Sequence, residues 1–278
     1  MRAIVSSLFV LSILFSDISL SAGEAFKICA DPNNPPFSNR IGTGFENVIG
    51  EMFAEEIGQS TEYSWFPQRI GFIRNTLKAK LPDKDEYKCD AVMGVPTGYE
   101  LTITTKPYYR STYMLVIRKD RGWDDIASPI DLTELDQERQ ASLRIAMFDR
   151  GPGTAFLKNY DLLEQGVPYQ SMTGNPDTNT AMTMDQDLKS GKIDMAILWG
   201  PMAGYVISNS PPGSYNTLPM NSVPGIRFHF PISMGVRHGD EERKNQLDEF
   251  IDKNQAKITE LMEKYNIPLV DENGRSID

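Results

Sequence analysis

Short apolar runs alternate with longer amphipathic segments along most of the chain. The run at residues 26–30 is followed by residues 44–57, where apolar side chains recur at helical spacing, and a further run occupies residues 89–95. A helix between two strands is typical of a parallel sheet covered on both faces. The same spacing predicts a helix over residues 69–79 and an amphipathic C-terminal helix over residues 241–265. The sequence therefore predicts an α/β fold.

The pattern restarts after about one hundred residues, which indicates two lobes. We expect the first part of lobe one at residues 24–118 and lobe two at residues 119–222. Residues 223–278 carry a late strand and the C-terminal helix, and these are predicted to pack back on lobe one or on the hinge. The junction between the lobes falls in the charged turn that follows Arg118.

The N-terminus carries the features of an export signal. Met1 and Arg2 precede an apolar stretch at residues 3–15, which is too short to span a bilayer, and small residues follow it. These features predict a signal peptide at residues 1–23 that is removed after export, and an uncleaved anchor is the alternative. The mature chain would then fold in an oxidising compartment.

The charge balance argues against several classes of function. The chain has 28 Lys and Arg against 38 Asp and Glu, a net charge of -10. Nucleic-acid binding needs a basic surface, so it is disfavoured. The chain has two histidines, His229 and His238, and we expect structural or surface roles for them. No metal site, cofactor or nucleophilic triad is predicted.

The cysteine content indicates one disulfide. Cys29 and Cys89 form an even pair in a chain with an export signal. A bridge between them requires the first strand to lie close to the strand that follows Cys89. Two buried free thiols are the alternative, and a metal site is disfavoured because two thiolates do not complete a coordination shell.

Five sequence motifs resemble one family of exported proteins. They are CADPNNPPFSN at 29–39, QRIGFIRNTL at 68–77, CDAVMGVP at 89–96, KPYYRST at 106–112 and WGPMAGY at 199–205. With the single cysteine pair and the late return strand, these motifs resemble the MoxJ/XoxJ-type proteins, solute-binding-like accessory proteins of pyrroloquinoline-quinone (PQQ) methanol dehydrogenase systems. The resemblance implies a type II periplasmic-binding-protein fold, with two α/β lobes, a hinge and a central cleft.

The resemblance also implies a location and a partner. We expect a non-catalytic periplasmic protein that assists a PQQ-dependent methanol dehydrogenase by binding, activating or maturing it through the interlobe cleft. The cytochrome c of the same system is a further candidate partner. The alternative is a periplasmic receptor that delivers a small organic ligand to an ABC transporter.

Two features that amino-acid receptors of this fold use are missing from the sequence. Such receptors hold the ligand carboxylate with an Arg after the third strand of lobe one. This chain has a turn with Thr97 there, and Tyr99 and Glu100 stand where that Arg would be expected. The carboxylate that captures the amino group commonly follows a strand of lobe two, where this chain has Trp199-Gly-Pro. A conventional amino-acid receptor is therefore disfavoured.

A third feature is partly present. Arg150, Gly153 and Thr154 open a predicted helix, whose free N–H groups and dipole favour an anion. The alternative is a turn in which Thr154 lies near the helix N-cap. Arg69, beside the expected cleft, could face an anionic group or the loop that contains Asp31, and the alternative is a solvated side chain or a structural ion pair.

Aromatic and acidic residues complete the predicted cleft. We expect Phe37 and Trp199 to be exposed anchors for a ligand or a partner, since aromatic rings contribute most at such surfaces. Glu46 also falls in the predicted cleft. An enzyme, such as a lyase using Glu46 or Glu100 with Arg150, is disfavoured because no acid/base pair stands at a diagnostic spacing.

Overall fold

The computed structural model describes residues 24–277, so the predicted signal peptide lies outside the described residues. Among these residues the strands are β1 (Phe26–Ala30), β2 (Asn33–Asn34), β3 (Ser38–Asn39), β4 (Thr61–Trp65), β5 (Ala91–Pro96), β6 (Ile103–Thr104), β7 (Tyr109–Arg118), β8 (Ile145–Phe148), β9 (Gly166–Tyr169), β10 (Met195–Trp199), β11 (Tyr215–Pro219) and β12 (His229–Val236). The α-helices are α1 (Phe45–Glu56), α2 (Phe72–Asn75), α3 (Gln137–Ser142), α4 (Pro152–Asn159), α5 (Thr180–Ser190), α6 (Gly200–Ser208) and α7 (Glu241–Lys264). None of the helices in this range is long and apolar enough to cross a membrane.

One continuous sheet runs through the molecule in the order β4-β1-β5-β12-β7-β10-β8-β9. Both ends are parallel, as the strand–helix alternation predicts: β4, β1 and β5 at one end, and β10, β8 and β9 at the other. The centre is antiparallel, because β12 returns between β5 and β7, and β7 runs opposite to β10. The mixed α/β architecture agrees with the predicted fold class.

Strand β7 connects two groups of apolar clusters. Its first residues, Tyr109 to Thr112, pair with β12, and its last six pair with β10 and β11. The buried clusters on one side draw on residues 26–109 and 232–269, and those on the other side on residues 114–228.

We use lobe 1 for residues 24–112 with 229–277, and lobe 2 for residues 113–228. We propose these crossing points because the strand pairing and the clusters change partners there. The boundaries predicted from sequence, at residues 118 and 222, stay predictions.

Lobe 1 is closed by the last helix of the chain. Phe53 of α1 packs edge to face on Phe26 of β1 and on Phe250 of α7, with ring centroids 4.8 and 5.4 Å apart. The Asp240 side chain caps α7 by accepting a hydrogen bond from the Arg243 N–H at 3.3 Å. Helix α7 thus confirms the C-terminal helix predicted from sequence.

The disulfide between Cys29 and Cys89 is present, as predicted. Both residues are buried, with Ile73, Leu77 and Val92 in the same apolar cluster. The bridge ties β1 to the segment that enters β5.

The helix predicted over residues 69–79 is wrong in extent, since only α2 forms. Gly71, with φ of 90°, occupies the left-handed region before the first helical residue, so the segment from Gln68 turns before it becomes helical. At the other end the Thr76 hydroxyl donates to the Phe72 carbonyl at 2.7 Å, and the chain then turns towards Cys89. Residues 68–71 are therefore an exposed turn at the edge of lobe 1.

Candidate functional site

The two lobes face each other across a cleft that contains three adjoining cavities. One, of about 200 Å³, lies between β5, α1 and the end of β10. We call it the inner cavity; its side chains include Asp31, Phe37, Glu46, Phe72, Tyr109 and Trp199. A wider cavity of about 590 Å³ opens to the surface, and we call it the mouth groove; its side chains include Arg69, Ile70, Phe72, Tyr99, Leu101 and Met172. The third, of about 170 Å³, lies between the loop after β1 and residues 171–180 of lobe 2.

The loop after β1 forms one wall of the inner cavity and is held by Asp31. The Asp31 carboxylate accepts a hydrogen bond from the Asn33 N–H at 2.8 Å and another from the Gln68 N–H. The Ser38 hydroxyl donates to the Asp31 carbonyl at 2.9 Å. Asp31 thus fixes two cleft segments to each other, and both of its carboxylate oxygens have backbone partners.

Glu46 projects from the first turn of α1 against β5. A Cβ added at Gly94 would lie 2.1 Å from a carboxylate oxygen of Glu46, so this side chain occupies the space that glycine leaves free on the strand. Burial, followed by the nearby Asp31 carboxylate, raises the pKa of Glu46 to about 8. Within residues 24–277 its carboxylate has no hydrogen-bond or salt-bridge partner. Glu46 is therefore largely protonated at neutral pH when the cavity holds only water.

Phe37 and Trp199 both line the inner cavity, but they are half-buried and not exposed, contrary to the prediction. Phe37 packs on Phe45 with ring centroids 5.4 Å apart. Trp199 ends β10 opposite Tyr113, and their rings are also 5.4 Å apart. Each ring is therefore partly covered by an aromatic neighbour.

Tyr109 forms the back of the inner cavity. Burial, and then the Glu46 carboxylate, raise the pKa of Tyr109 well above its ordinary value. Tyr108 and Tyr109 are both buried, consistent with packing at the hinge, and their rings meet edge to face at 4.9 Å. Tyr109 thus remains a neutral ring with its hydroxyl beside an acid.

The lobes touch each other across the cleft. The Asn179 side-chain amide donates to the Asn34 side-chain oxygen at 2.8 Å, and Asn34 in turn donates to Gln68 at 2.8 Å. Gly174 lies against the side chain of Arg69, whose Cδ would be 3.4 Å from an added Cβ. These contacts join lobe 1 to lobe 2 at the third cavity, beside the inner cavity.

Arg69 does not form the ion pair that sequence reasoning left open. Its guanidinium carbon lies 4.7 Å from the centroid of the Phe66 ring, and it has no salt bridge with any residue in the range 24–277. The acid in the neighbouring loop, Asp31, is already satisfied by backbone N–H groups. Arg69 is exposed at the side of the mouth groove.

Comparison with known proteins identifies this architecture. A crystal structure of the periplasmic binding protein XoxJ from Methylobacterium extorquens AM1 matches with a TM-score of 0.68 and 32% identity, over 89% of this chain and 100% of that chain. The chain belongs to the MoxJ/XoxJ family. No protein-family model matches the sequence.

Other members of the MoxJ/XoxJ family match over a similar span. Protein MoxJ of Paracoccus denitrificans is 27% identical over 262 residues, which is 88% of each chain. The crystal structure of MxaJ from Methlophaga aminisulfidivorans MPT matches with a TM-score of 0.72 and 26% identity, over 88% of this chain and 100% of that chain. The likeness extends over nearly all of the described residues.

Two further predicted residues of this MoxJ/XoxJ chain differ in whether they line the cleft. Tyr99 lines the mouth groove. Thr97 is exposed, and its hydroxyl shares a 2.7 Å hydrogen bond with that of Ser233, which ties the end of β5 to β12. Thr97 does not line any of the three cavities.

The predicted anion site on lobe 2 lies outside the three cavities. Gly153 packs against Ile197 of β10, and the Thr154 hydroxyl donates to the Phe148 carbonyl. Arg150 is exposed at the turn before α4. The structure thus directs the start of α4 towards its own sheet, and the anion site stays a prediction.

Sequence reasoning missed the apolar side of the mouth groove. Ile70, Leu101 and Met172 are among the exposed large apolar residues, with 91%, 45% and 50% of their surface accessible. Ile70 lies in the 68–77 motif. Because the sequence predicts a helix there, the exposure of Ile70 was not predicted. An isoleucine between an arginine and a glycine is the signal that could have indicated a turn.

Proposed function

We propose that this chain is a non-catalytic accessory protein of a methanol-oxidation system, which binds a PQQ-dependent methanol dehydrogenase through the mouth groove. The observation that carries the proposal is the group of exposed apolar side chains around this groove, Ile70, Leu101 and Met172. Monomeric soluble proteins seldom expose clustered apolar side chains without a binding role. The names of the relatives support the choice of partner system.

The groove suits a protein segment better than a small solute. It opens to the surface, and its residues come from both lobes, with Met172 from lobe 2 facing Ile70 and Tyr99 from lobe 1. Arg69 and Arg74 stand beside it in a chain whose net charge is -10. We therefore propose an apolar segment with acidic neighbours as the part of the dehydrogenase that docks here.

Two finer points belong to this proposal. The protein is periplasmic, exported by the signal at residues 1–23, and the two lobes move about the crossing points in β7 and before β12. The family to which the chain belongs consists of periplasmic binding proteins, which supports the location.

A receptor that delivers a solute to an ABC transporter is the second candidate. The inner cavity favours it, because the hydrogen bond between Asn34 and Asn179 joins the two lobes beside a space that can hold a small molecule. The cytochrome c of the methanol-oxidation system is an alternative protein partner at the same groove.

Export is tested by sequencing the N-terminus of the protein recovered from the periplasm. We expect the mature chain to begin at about Glu24, because the small residues that precede it fit a signal peptidase. A periplasmic protein that still begins at Met1 would instead indicate an uncleaved anchor.

Docking is tested with Ile70→Asp. We expect the affinity for purified PQQ methanol dehydrogenase to fall at least about tenfold, because burying an isoleucine contributes roughly 1.5–3 kcal/mol and a buried carboxylate adds a cost. The measurement is the equilibrium dissociation constant by calorimetry or surface plasmon resonance. The exposure of Ile70 means that the variant should keep the parent's melting temperature.

Ile41→Asp is the matched control. Ile41 is 81% exposed and lines none of the three cleft cavities, so this variant should bind as the parent does. Unchanged affinity in Ile70→Asp, or an equal loss in Ile41→Asp, would count against the mouth groove as the docking surface.

A further inference from the structure

We propose that the inner cavity binds a small organic ammonium ion, with the Glu46 carboxylate as its counter-ion and aromatic rings as its walls. The proposal goes beyond the docking function and does not depend on it, because the inner cavity and the mouth groove differ in chemistry.

The side chains that line the inner cavity carry two carboxylates and no basic group. Asp31 is satisfied by the N–H groups of Asn33 and Gln68, as described above. Glu46 has no such partner within residues 24–277. A carboxylate in a cavity is unfavourable when no hydrogen-bond donor or positive charge is next to it. A ligand that brings a positive charge next to the carboxylate stabilises it, and such a ligand is a cation.

The walls of the cavity also favour a cation. Phe37, Phe72, Tyr109 and Trp199 line it, and the face of an aromatic ring attracts a positive charge. Trp199 and Tyr109 are the stronger members of this set, since Trp binds cations best among the aromatic residues. A neutral polar ligand would gain nothing comparable from the rings.

The charges of the inner cavity exclude a free amino acid, and its volume limits the ligand to a small molecule. The cavity volume of about 200 Å³ equals that of roughly six or seven water molecules. An amino acid would bring its carboxylate next to Glu46 and Asp31 with no basic side chain lining the cavity to receive it. Arg69 lies in the adjoining mouth groove and is stacked on Phe66. The ligand class is therefore an amine or quaternary ammonium ion that carries no acid.

Binding of such a cation is coupled to the proton on Glu46. The groups that face this carboxyl are Asp31 from the loop after β1 and Tyr109 from β7, with Tyr108 behind it; none of them is cationic. The pKa of Glu46 is about 8 in the free protein, and a bound cation lowers it. At neutral pH the cation must therefore displace the proton from Glu46. The affinity for the cation rises as the pH approaches 8 and then levels off.

The test is calorimetric titration of the full mature protein with tetramethylammonium chloride, whose charge does not change with pH. We expect saturable binding that is at least about tenfold tighter at pH 9 than at pH 6, with release of up to one proton at neutral pH. Proton release is read from titrations in buffers of different ionisation enthalpy. tert-Butanol, which is similar in shape but neutral, should not bind.

Glu46→Gln keeps the size of the side chain and removes its charge, so we expect it to abolish both the binding and its pH dependence. Glu51→Gln, on the same helix but outside the inner cavity, should leave both unchanged; Glu51 accepts a hydrogen bond from the Tyr63 hydroxyl at 3.1 Å. If Glu46→Gln does not fold, the titrations of the parent protein at pH 6 and pH 9 are the test of the proposal. An absence of saturable heat in the parent at either pH, or binding equal at both, would overturn the proposal.

Cation binding in the inner cavity can be tested separately from docking at the mouth groove. Ile70→Asp should bind tetramethylammonium as the parent does, because Ile70 does not line the inner cavity. Loss of cation binding in Glu46→Gln with normal binding to the dehydrogenase would support both proposals independently.

Discussion

Reduction of the Cys29–Cys89 disulfide should lower the free energy of unfolding by about 4 kcal/mol. The two cysteines are 60 residues apart, and a cross-link over a loop of that length removes about this much chain entropy from the unfolded state. Both residues are buried, so opening the bridge also leaves two thiols inside an apolar cluster with Ile73 and Leu77. The measurement is urea unfolding with and without a reductant.

The controls are single cysteine substitutions and a count of free thiols. Cys29→Ala and Cys89→Ala should each match the reduced parent, and adding reductant to either variant should change nothing further. Titration of the unfolded parent without reductant should find no free thiol, since Cys29 and Cys89 are the whole cysteine content of the chain. A loss below about 1 kcal/mol would mean that the bridge constrains the unfolded chain much less than its loop length implies.

Phe228→Ala should lower the free energy of unfolding by about 3–5 kcal/mol, the usual cost of removing a buried phenylalanine ring. Phe228 is fully buried just before β12, where the chain passes from lobe 2 to lobe 1. Its ring lies edge to face with Tyr113 and Phe156, at 6.1 and 6.2 Å, and its carbonyl accepts the Tyr113 N–H at 3.0 Å. The cavity left behind would adjoin the crossing point in β7.

Phe230→Ala is the matched control for this substitution. Phe230 lies two residues further on, is half-buried, and meets Trp199 at 6.1 Å. We expect a clearly smaller loss for this variant, measured in the same denaturant series. Equal losses would show that the half-buried ring contributes as much as the buried one, and that burial is not what ranks the two positions.

Much of the fold could be predicted because local patterns determine it. The alternation of strands and helices indicated the α/β class, the cysteine pair indicated the bridge, and the apolar spacing indicated α7. The antiparallel centre could not be predicted in the same way. It depends on β12 pairing with β5 and β7, a contact between segments more than one hundred residues apart, and no local pattern encodes it.

The candidate site, like the fold, could be predicted only in part. Phe37, Glu46 and Trp199 were predicted for the cleft, and the structure brings them together in the inner cavity. The prediction that the two rings of Phe37 and Trp199 are exposed failed, because Phe37 packs on Phe45 and Trp199 packs on Tyr113. The anion site at the Arg150 turn stays a prediction, because a glycine-rich helix start has the same sequence whichever way the helix faces.

The strand order also governs when the protein can acquire its shape during export. Strand β12 lies between β5 and β7, so the sheet of lobe 1 is completed only by chain that follows all of lobe 2. A chain that emerges N-terminus first therefore leaves the edge of β5 unpaired, and Phe53 uncovered by Phe250, until its last fifty or so residues arrive. Open strand edges invite aggregation, and such late pairing slows folding. Cys29 and Cys89 both emerge early, so an oxidising compartment can secure β1 beside the start of β5 while the rest of the chain is still in transit.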